Sequence, residues 1–294
     1  MKHQAKWIVA FAGVAMSCCA ASADVAVIGA DRDNTMYQDP LGTISSGAGP
    51  TMFVGETNVG SFRRGLIRFD LSPIPAGSTI VSVQLTLHMS RTISGDASVS
   101  IFRALRDWGE GSSNAGANGG RGAPATPGDA TWLHTFFDTQ FWSAPGGASG
   151  ADYAATASAT TVVTFAIQTY SWGSTPEMVA DAQAWLALPS SNFGWFLIGD
   201  ESAFATAKRF DTRENLNPSF RPSLTVTYTP PAPPCYANCD GSTVSPVLNA
   251  NDFQCFLDAF AANSSYANCD GSTVGPVLNA NDFQCFLDMF AGGC

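Results

Sequence analysis

Two stretches near the end of this chain repeat each other almost letter for letter. Tyr236–Asp258 reads YANCDGSTVSPVLNANDFQCFLD and Tyr266–Asp288 reads YANCDGSTVGPVLNANDFQCFLD, a period of 30 residues with Ser245 against Gly275 as the one difference. A repeat at fixed period means two copies of one supersecondary unit. Each copy has a Gly/Ser/Pro loop and then Phe253, Phe256, Leu257 and Phe260, or their equivalents, at the i, i+3, i+4, i+7 spacing of an apolar helical stripe. One helix this short cannot bury its stripe alone. The two are expected to bury theirs against each other, and so small a unit needs staples besides.

The cysteines supply the staples. Of 8 in 294 residues, Cys18 and Cys19 lie near the start, and the rest are Cys235, Cys239, Cys255, Cys269, Cys285 and Cys294. Residues 1–23 have the three-part form of a secretory signal peptide: Lys2 and Lys6, the apolar run Trp7–Met16, and the small residues Ala21-Ser22-Ala23. That run is shorter than the ~20 apolar residues that cross a bilayer and no second one follows, so no membrane span is expected. Export to the outside or the cell surface exposes the chain to oxidising conditions, where clustered cysteines read as disulfides. Repeat equivalence makes Cys239–Cys255, Cys269–Cys285 and a Cys235–Cys294 clasp the economical pairing. The prolines after Thr229 form a stiff linker over residues 230–234, which separates a cysteine-free part, 24–229, from the repeat module, 235–294.

Charge is informative once it is located. The whole chain carries 14 Lys+Arg against 24 Asp+Glu, a net charge of -10, which excludes a general nucleic-acid binder because a phosphate backbone needs a surplus of bases. From Pro230 onward there are six Asp and no Lys or Arg. Oxygen donors recur in each loop: Asn238, Asp240, Ser242, Asn249 and Asp252, then Asn268, Asp270, Ser272, Asn279 and Asp282. Hard cations such as Ca²⁺ take six to eight oxygens, and an acidic residue fed from a loop into the first turn of a helix is the EF-hand arrangement. The NCDGS…LNANDFxxFL pattern resembles dockerin-type repeats, which use that half EF-hand twice. The resemblance implies two Ca²⁺ sites and a partner protein onto which the module docks. The loop from Asn238 to Asp252 is longer than the ordinary ~12 residues, so the ligand register stays open. A second reading has no metal at all, with Asp252 and Asp282 capping helix starts.

Residues 24–229 are short alternating apolar segments bounded by Gly, Pro, Asn and Ser. Strands are expected at 25–28, 65–69, 81–89, 98–102, 161–167, 193–198 and 224–228, with one helix at 177–186 and a long mobile loop at 109–128. Many strands without βα alternation predict an antiparallel β-sandwich or jelly roll, so the fold class is mainly β with a small two-helix module appended. Arg64-Gly-Leu-Ile-Arg-Phe-Asp-Leu-Ser-Pro-Ile-Pro, Val99-Ser-Ile-Phe-Arg with Asp107-Trp108-Gly-Glu110, Asp181–Trp185 before Asn192-Phe-Gly-Trp195, Arg209-Phe-Asp-Thr-Arg213-Glu214 and Arg221-Pro-Ser-Leu-Thr-Val-Thr-Tyr228 resemble, in order, the DNRLRE domain. That resemblance implies a β-sandwich, often non-catalytic, from exported bacterial proteins that include carbohydrate-binding modules with affinity for alginate.

A polysaccharide partner, above all an acidic glycan, would call for Arg forks and aromatic platforms. The candidates are Arg103, Arg106 and Trp108, and Lys208, Arg209 and Arg213; the bland alternative is that Trp108 is core and that the arginines pair internally. Catalysis finds less support. His88 and His134 are the histidines left after the leader, with no HExxH, no G-x-S-x-G and no thiol in 24–229. Asp107/Glu110 and Asp200/Glu201 are nominal carboxylate pairs, and His134, Tyr153 and Arg213 nominal parts of a lyase site. The expected function is a secreted, non-catalytic polysaccharide- or matrix-binding protein with a calcium-binding docking module. A structural cell-surface anchor without sugar binding and a polysaccharide-degrading hydrolase or lyase are the other two classes.

Overall fold

The computed structural model describes residues 23–116, 119–231 and 235–293. Contacts divide the chain into two compact units, Met1–Pro231 and Ala232–Cys294. The expected leader, most of the linker, and the Cys294 end of the expected clasp lie outside the described residues. Among the described residues no helix is long and apolar enough to cross a membrane.

The first unit is mainly β. Its strands are β1 (Asp24–Tyr37), β2 (Ile44–Ser45), β3 (Thr51–Glu56), β4 (Phe62–Phe69), β5 (Thr79–Thr92), β6 (Ala97–Arg103), β7 (Ala123–Pro124), β8 (His134–Phe136), β9 (Gln140–Phe141), β10 (Ala159–Val163), β11 (Gln168–Gly173), β12 (Trp195–Gly199), β13 (Lys208–Asp211) and β14 (Ser223–Thr229). The helix α1 (Pro176–Ala187) lies between β11 and β12. Every ladder is antiparallel. The main sheet runs β1-β14-β5-β13-β3-β4-β12-β6-β10, with β11 also on β5 and a further β1–β4 pairing that closes a barrel-like ring. Closure is the work of β1. Residues 24–29 of it pair with β14 and residues 30–37 with β4, and the register slips between Ala30 and Arg32. The residue left unpaired by the slip, Asp31, turns to an ion pair with Arg68 of β4.

Alternation along β5 places Val83, Leu85, Leu87 and Met89 inside, all fully buried. The helix covers that layer with Met178, Ala182 and Trp185, and Trp185 meets Trp195 edge-on at 4.6 Å. It starts where Thr175 accepts the Met178 N–H and Pro176 occupies the first turn. Three strands of the main sheet escape the sequence pattern, β3, β11 and β13, as do the short β2, β7, β8 and β9 outside it. The expected strand at 161–167 ends at Val163. The stretch 109–128, expected to be a mobile loop, is held along its described part. Gly109 N–H donates to Thr135 O, Ala130 N–H donates back to Gly109 O, and Ser113 is buried. A Cβ on Gly109 would lie 1.8 Å from Gly128 O, so the segment packs as closely as glycine alone permits.

The second unit consists of two loops and two helices, α2 (Ala250–Ala261) and α3 (Ala280–Gly292). Each helix opens on a capping box, Asn249 with Asp252 and Asn279 with Asp282. Equivalent residues pack on each other. Phe256 and Phe286 stack at 4.2 Å, fully buried, and Tyr236 and Tyr266 stack at 4.8 Å. Each tyrosine hydroxyl donates to the backbone oxygen of the other. The buried stripe is narrower than its spacing predicts, because Leu257 is exposed. Disulfides join Cys239 to Cys255 and Cys269 to Cys285, each fastening a loop to the helix that follows it.

Candidate functional sites

The two tail loops have the same local chemistry. Asp252 is buried, and its Oδ1 accepts from Asp240 N–H at 3.2 Å while Oδ2 accepts from Asn249 N–H at 2.8 Å. Asp282 repeats this with Asp270 and Asn279 at the same distances. Burial works against ionisation of both, but the backbone N–H groups outweigh it and hold both carboxyls below the usual range. The amides of Asn238 and Asn268 donate to Ser242 O and Ser272 O. Their carbonyl oxygens, Asn238 Oδ1 and Asn268 Oδ1, are buried without any hydrogen-bond partner. A buried acceptor left unmatched costs about 1–3 kcal/mol, and the same oxygen is unmatched in both loops. Asn238, Asp240, Ser242, Asn249 and Asp252, with the equivalent second set, are all oxygen donors of the kind that hard cations take.

In the β unit the sequence-predicted sugar residues do not converge. Trp108 is fully buried, with its indole N–H on Phe193 O and the Arg32 guanidinium 5.0 Å from its ring, so it offers no platform. Arg103 lies 3.6 Å from Asp181, Arg106 3.0 Å from the fully buried Asp152, and Arg213 is forked onto Glu110 at 2.5 Å and 2.7 Å. Lys208, grouped with Arg209 and Arg213 by sequence, points inward. It is fully buried and donates to Thr92, Ser94 O, Gly95 O and Thr164 O.

Arg209, which donates to Ser90, opens onto a groove lined by further arginines. Register pairs it with Phe53 on β3 and with Arg91 on β5, so the three side chains form a row across three strands. Arg63, on β4, borders the same groove of roughly 180 Å³ together with Asn58 and Ile93, and no carboxylate lines it among the described residues. Arg63 lies 4.8 Å over the Tyr37 ring and donates to Ser61, Phe62 O and Gly120 O. Burial lowers the pKa of both Arg63 and Arg209; Tyr37 partly opposes this at Arg63, and at Arg209 the Asp211 carboxylate opposes it while Arg91 adds like-charge repulsion. Sequence reasoning missed Phe53, Arg63 and Arg91, because only strand register brings them together. A larger cleft of roughly 530 Å³ has Trp185 in its wall, but its cation, Arg68, is already neutralised by Asp31, and Asp70 adds negative charge.

The nominal catalytic parts are separately engaged. His88 Nδ1 lies 2.6 Å from Asp211 and its ring stacks on Phe220 at 3.9 Å. His134 bonds Thr131 and meets Phe137 and Phe141, whereas Tyr153 packs on Phe102 and Phe196. Glu201 is forked onto Arg64, and Asp107 pairs with Arg32. In comparisons with known proteins, no family model and no curated protein matches this chain.

Proposed function

We propose that this is an exported, non-catalytic binding protein in which a DNRLRE-like β-sandwich holds an acidic polysaccharide and a dockerin-like tail, loaded with Ca²⁺, docks onto a partner protein. The observation that supports the glycan half is the groove of Arg63, Arg91 and Arg209, three guanidiniums that no carboxylate lines among the described residues. Guanidinium forks match sugar carboxylates in geometry and charge, and the partly buried Phe53 supplies an apolar face beside them. The uronate carboxylates of alginate or pectin have that chemistry, and neutral glucans do not. The tail half is supported by the unmatched Asn238 and Asn268 oxygens in two equivalent loops.

Affinity electrophoresis of the full chain tests the glycan half. Retardation by alginate or pectin and none by neutral glucans is expected, in chelator so that Ca²⁺ does not crosslink the gel. Migration unaffected by every polysaccharide rejects sugar binding and favours the structural-anchor reading. Release of unsaturated sugars or reducing ends would make the protein an enzyme. Calorimetric titration of the same chain with Ca²⁺ tests the tail, and its heat should be reduced in Asp252→Ala with Asp282→Ala.

A further inference from the structure

A second cluster of oxygens, in the β unit, is assembled from three separate segments. Asp33 comes from β1, Glu110 from the segment after β6, and Glu214 from the segment after β13; one oxygen of each lies within 4.8 Å of the others. Asp33 is fully buried. Its Oδ2 accepts from Arg213 N–H at 2.9 Å, but its Oδ1 is buried and has no hydrogen-bond partner. Glu214 repeats the pattern, with one oxygen 2.9 Å from Arg213 Nε and the other, Oε2, buried and unmatched. Glu110 is saturated by comparison, since Arg213 forks onto both of its oxygens and Asp33 N–H donates to Oε1 at 2.8 Å.

Ionised together, the three carboxyls would exceed the one guanidinium by two negative charges around two idle oxygens, and burial pushes the Asp33 and Glu214 carboxyls above their usual range. Uncompensated buried charge is costly, and a matching cation removes that cost. All the donors are oxygens, with no Cys or His among them, which selects a hard ion. Ca²⁺ holds oxygens at about 2.3–2.6 Å, so opposite ligands stand about 4.6–5.2 Å apart, a span that accommodates the observed cluster. From this geometry we propose that Asp33, Glu110 and Glu214 bind one Ca²⁺ in the β unit, independently of the tail loops and of the arginine groove. Asp33 Oδ1 and Glu214 Oε2 are its principal ligands, and Arg213 balances the remaining charge on Glu110. The ion would tie β1 to both flanking segments.

Terbium, a luminescent stand-in for Ca²⁺, separates this site from the tail, because residues 235–294 contain no tryptophan. Emission excited through tryptophan alone therefore reports the β unit. The chelator-stripped full chain is expected to gain such emission with Tb³⁺ and lose it on competition with Ca²⁺. Asp33→Asn and Glu214→Gln should each weaken it by roughly tenfold or more, and Asp252→Ala with Asp282→Ala should leave it unchanged. Absence of tryptophan-sensitised emission in the parent would overturn the site and leave a proton shared between Asp33 and Glu214 in its place. Emission that survives both Asp33→Asn and Glu214→Gln would overturn it equally. Glu214, the more exposed ligand, gives the deciding variant if Asp33→Asn fails to fold, as judged by near-ultraviolet circular dichroism.

Discussion

Buried charges in the β unit are held in two different ways. Lys208 has four oxygen acceptors around its ammonium and no ion pair among the described residues. Asp181 accepts from Trp195 Nε1 at 2.9 Å and from Ser158 at 2.5 Å. Burial raises its pKa, and the hydrogen bonds from Ser158 and Trp195 only partly offset that. The folded state therefore keeps the Asp181 proton to a higher pH than the unfolded chain, whose value is near 3.9. Its contribution to stability is complete below about pH 3.9 and is lost as pH rises through the raised folded value. Asp181→Asn should flatten that part of the stability–pH curve measured by urea unfolding, and an unchanged slope would contradict the assignment. Lys208→Met should lose about 1–3 kcal/mol in the same assay, because its carbonyl acceptors stay buried without a donor. Sequence spacing could not reveal the inward turn of Lys208. A lysine beside an arginine reads as surface, and only the alternation of β13 separates the buried Lys208 and Phe210 from Arg209 between them.

Elements with strong local signals were legible, and those defined by neighbours were not. The helix α1 declares itself through Thr175-Pro176-Glu177 and the spacing of Met178, Ala182 and Trp185. Thr175→Ala should cost about 1 kcal/mol in thermal or urea unfolding, through loss of the cap on Met178 N–H. Long alternating β5 is visible in sequence for the same reason. By contrast β3 and β13 are 6 and 4 residues long, and β13 mixes charge with one aromatic, so nothing local distinguishes them from a loop. The arginine groove depends on those two strands and was illegible with them. In the tail, the near-exact repeat makes the helix pair and two disulfides readable from the sequence. Replacing Cys239 and Cys255 by Ala is expected to cost about 2–5 kcal/mol, read as earlier unfolding of the tail by circular dichroism.

Across the whole molecule, charge is unevenly divided. The chain's net charge of -10 hides a base-free tail whose six Asp accompany two loops rich in oxygen donors, and a β unit that carries a groove of three arginines. Chelation should accordingly lower the melting temperature of the tail, and excess Ca²⁺ should restore it by mass action. Salt should act on the groove in the opposite sense to its effect on apolar contacts, weakening acidic-glycan binding through screening.

The proposed recognition of an acidic glycan rests on the arginine groove of the β unit. Calorimetric titration of the full chain with an oligouronate, beside the Arg91→Ala and Arg209→Ala variants, tests it most directly. Binding by the parent, weakened by about tenfold or more in each variant and absent with a neutral oligosaccharide, is the predicted result. Equal affinity in parent and variants, or no binding by the parent, would contradict it.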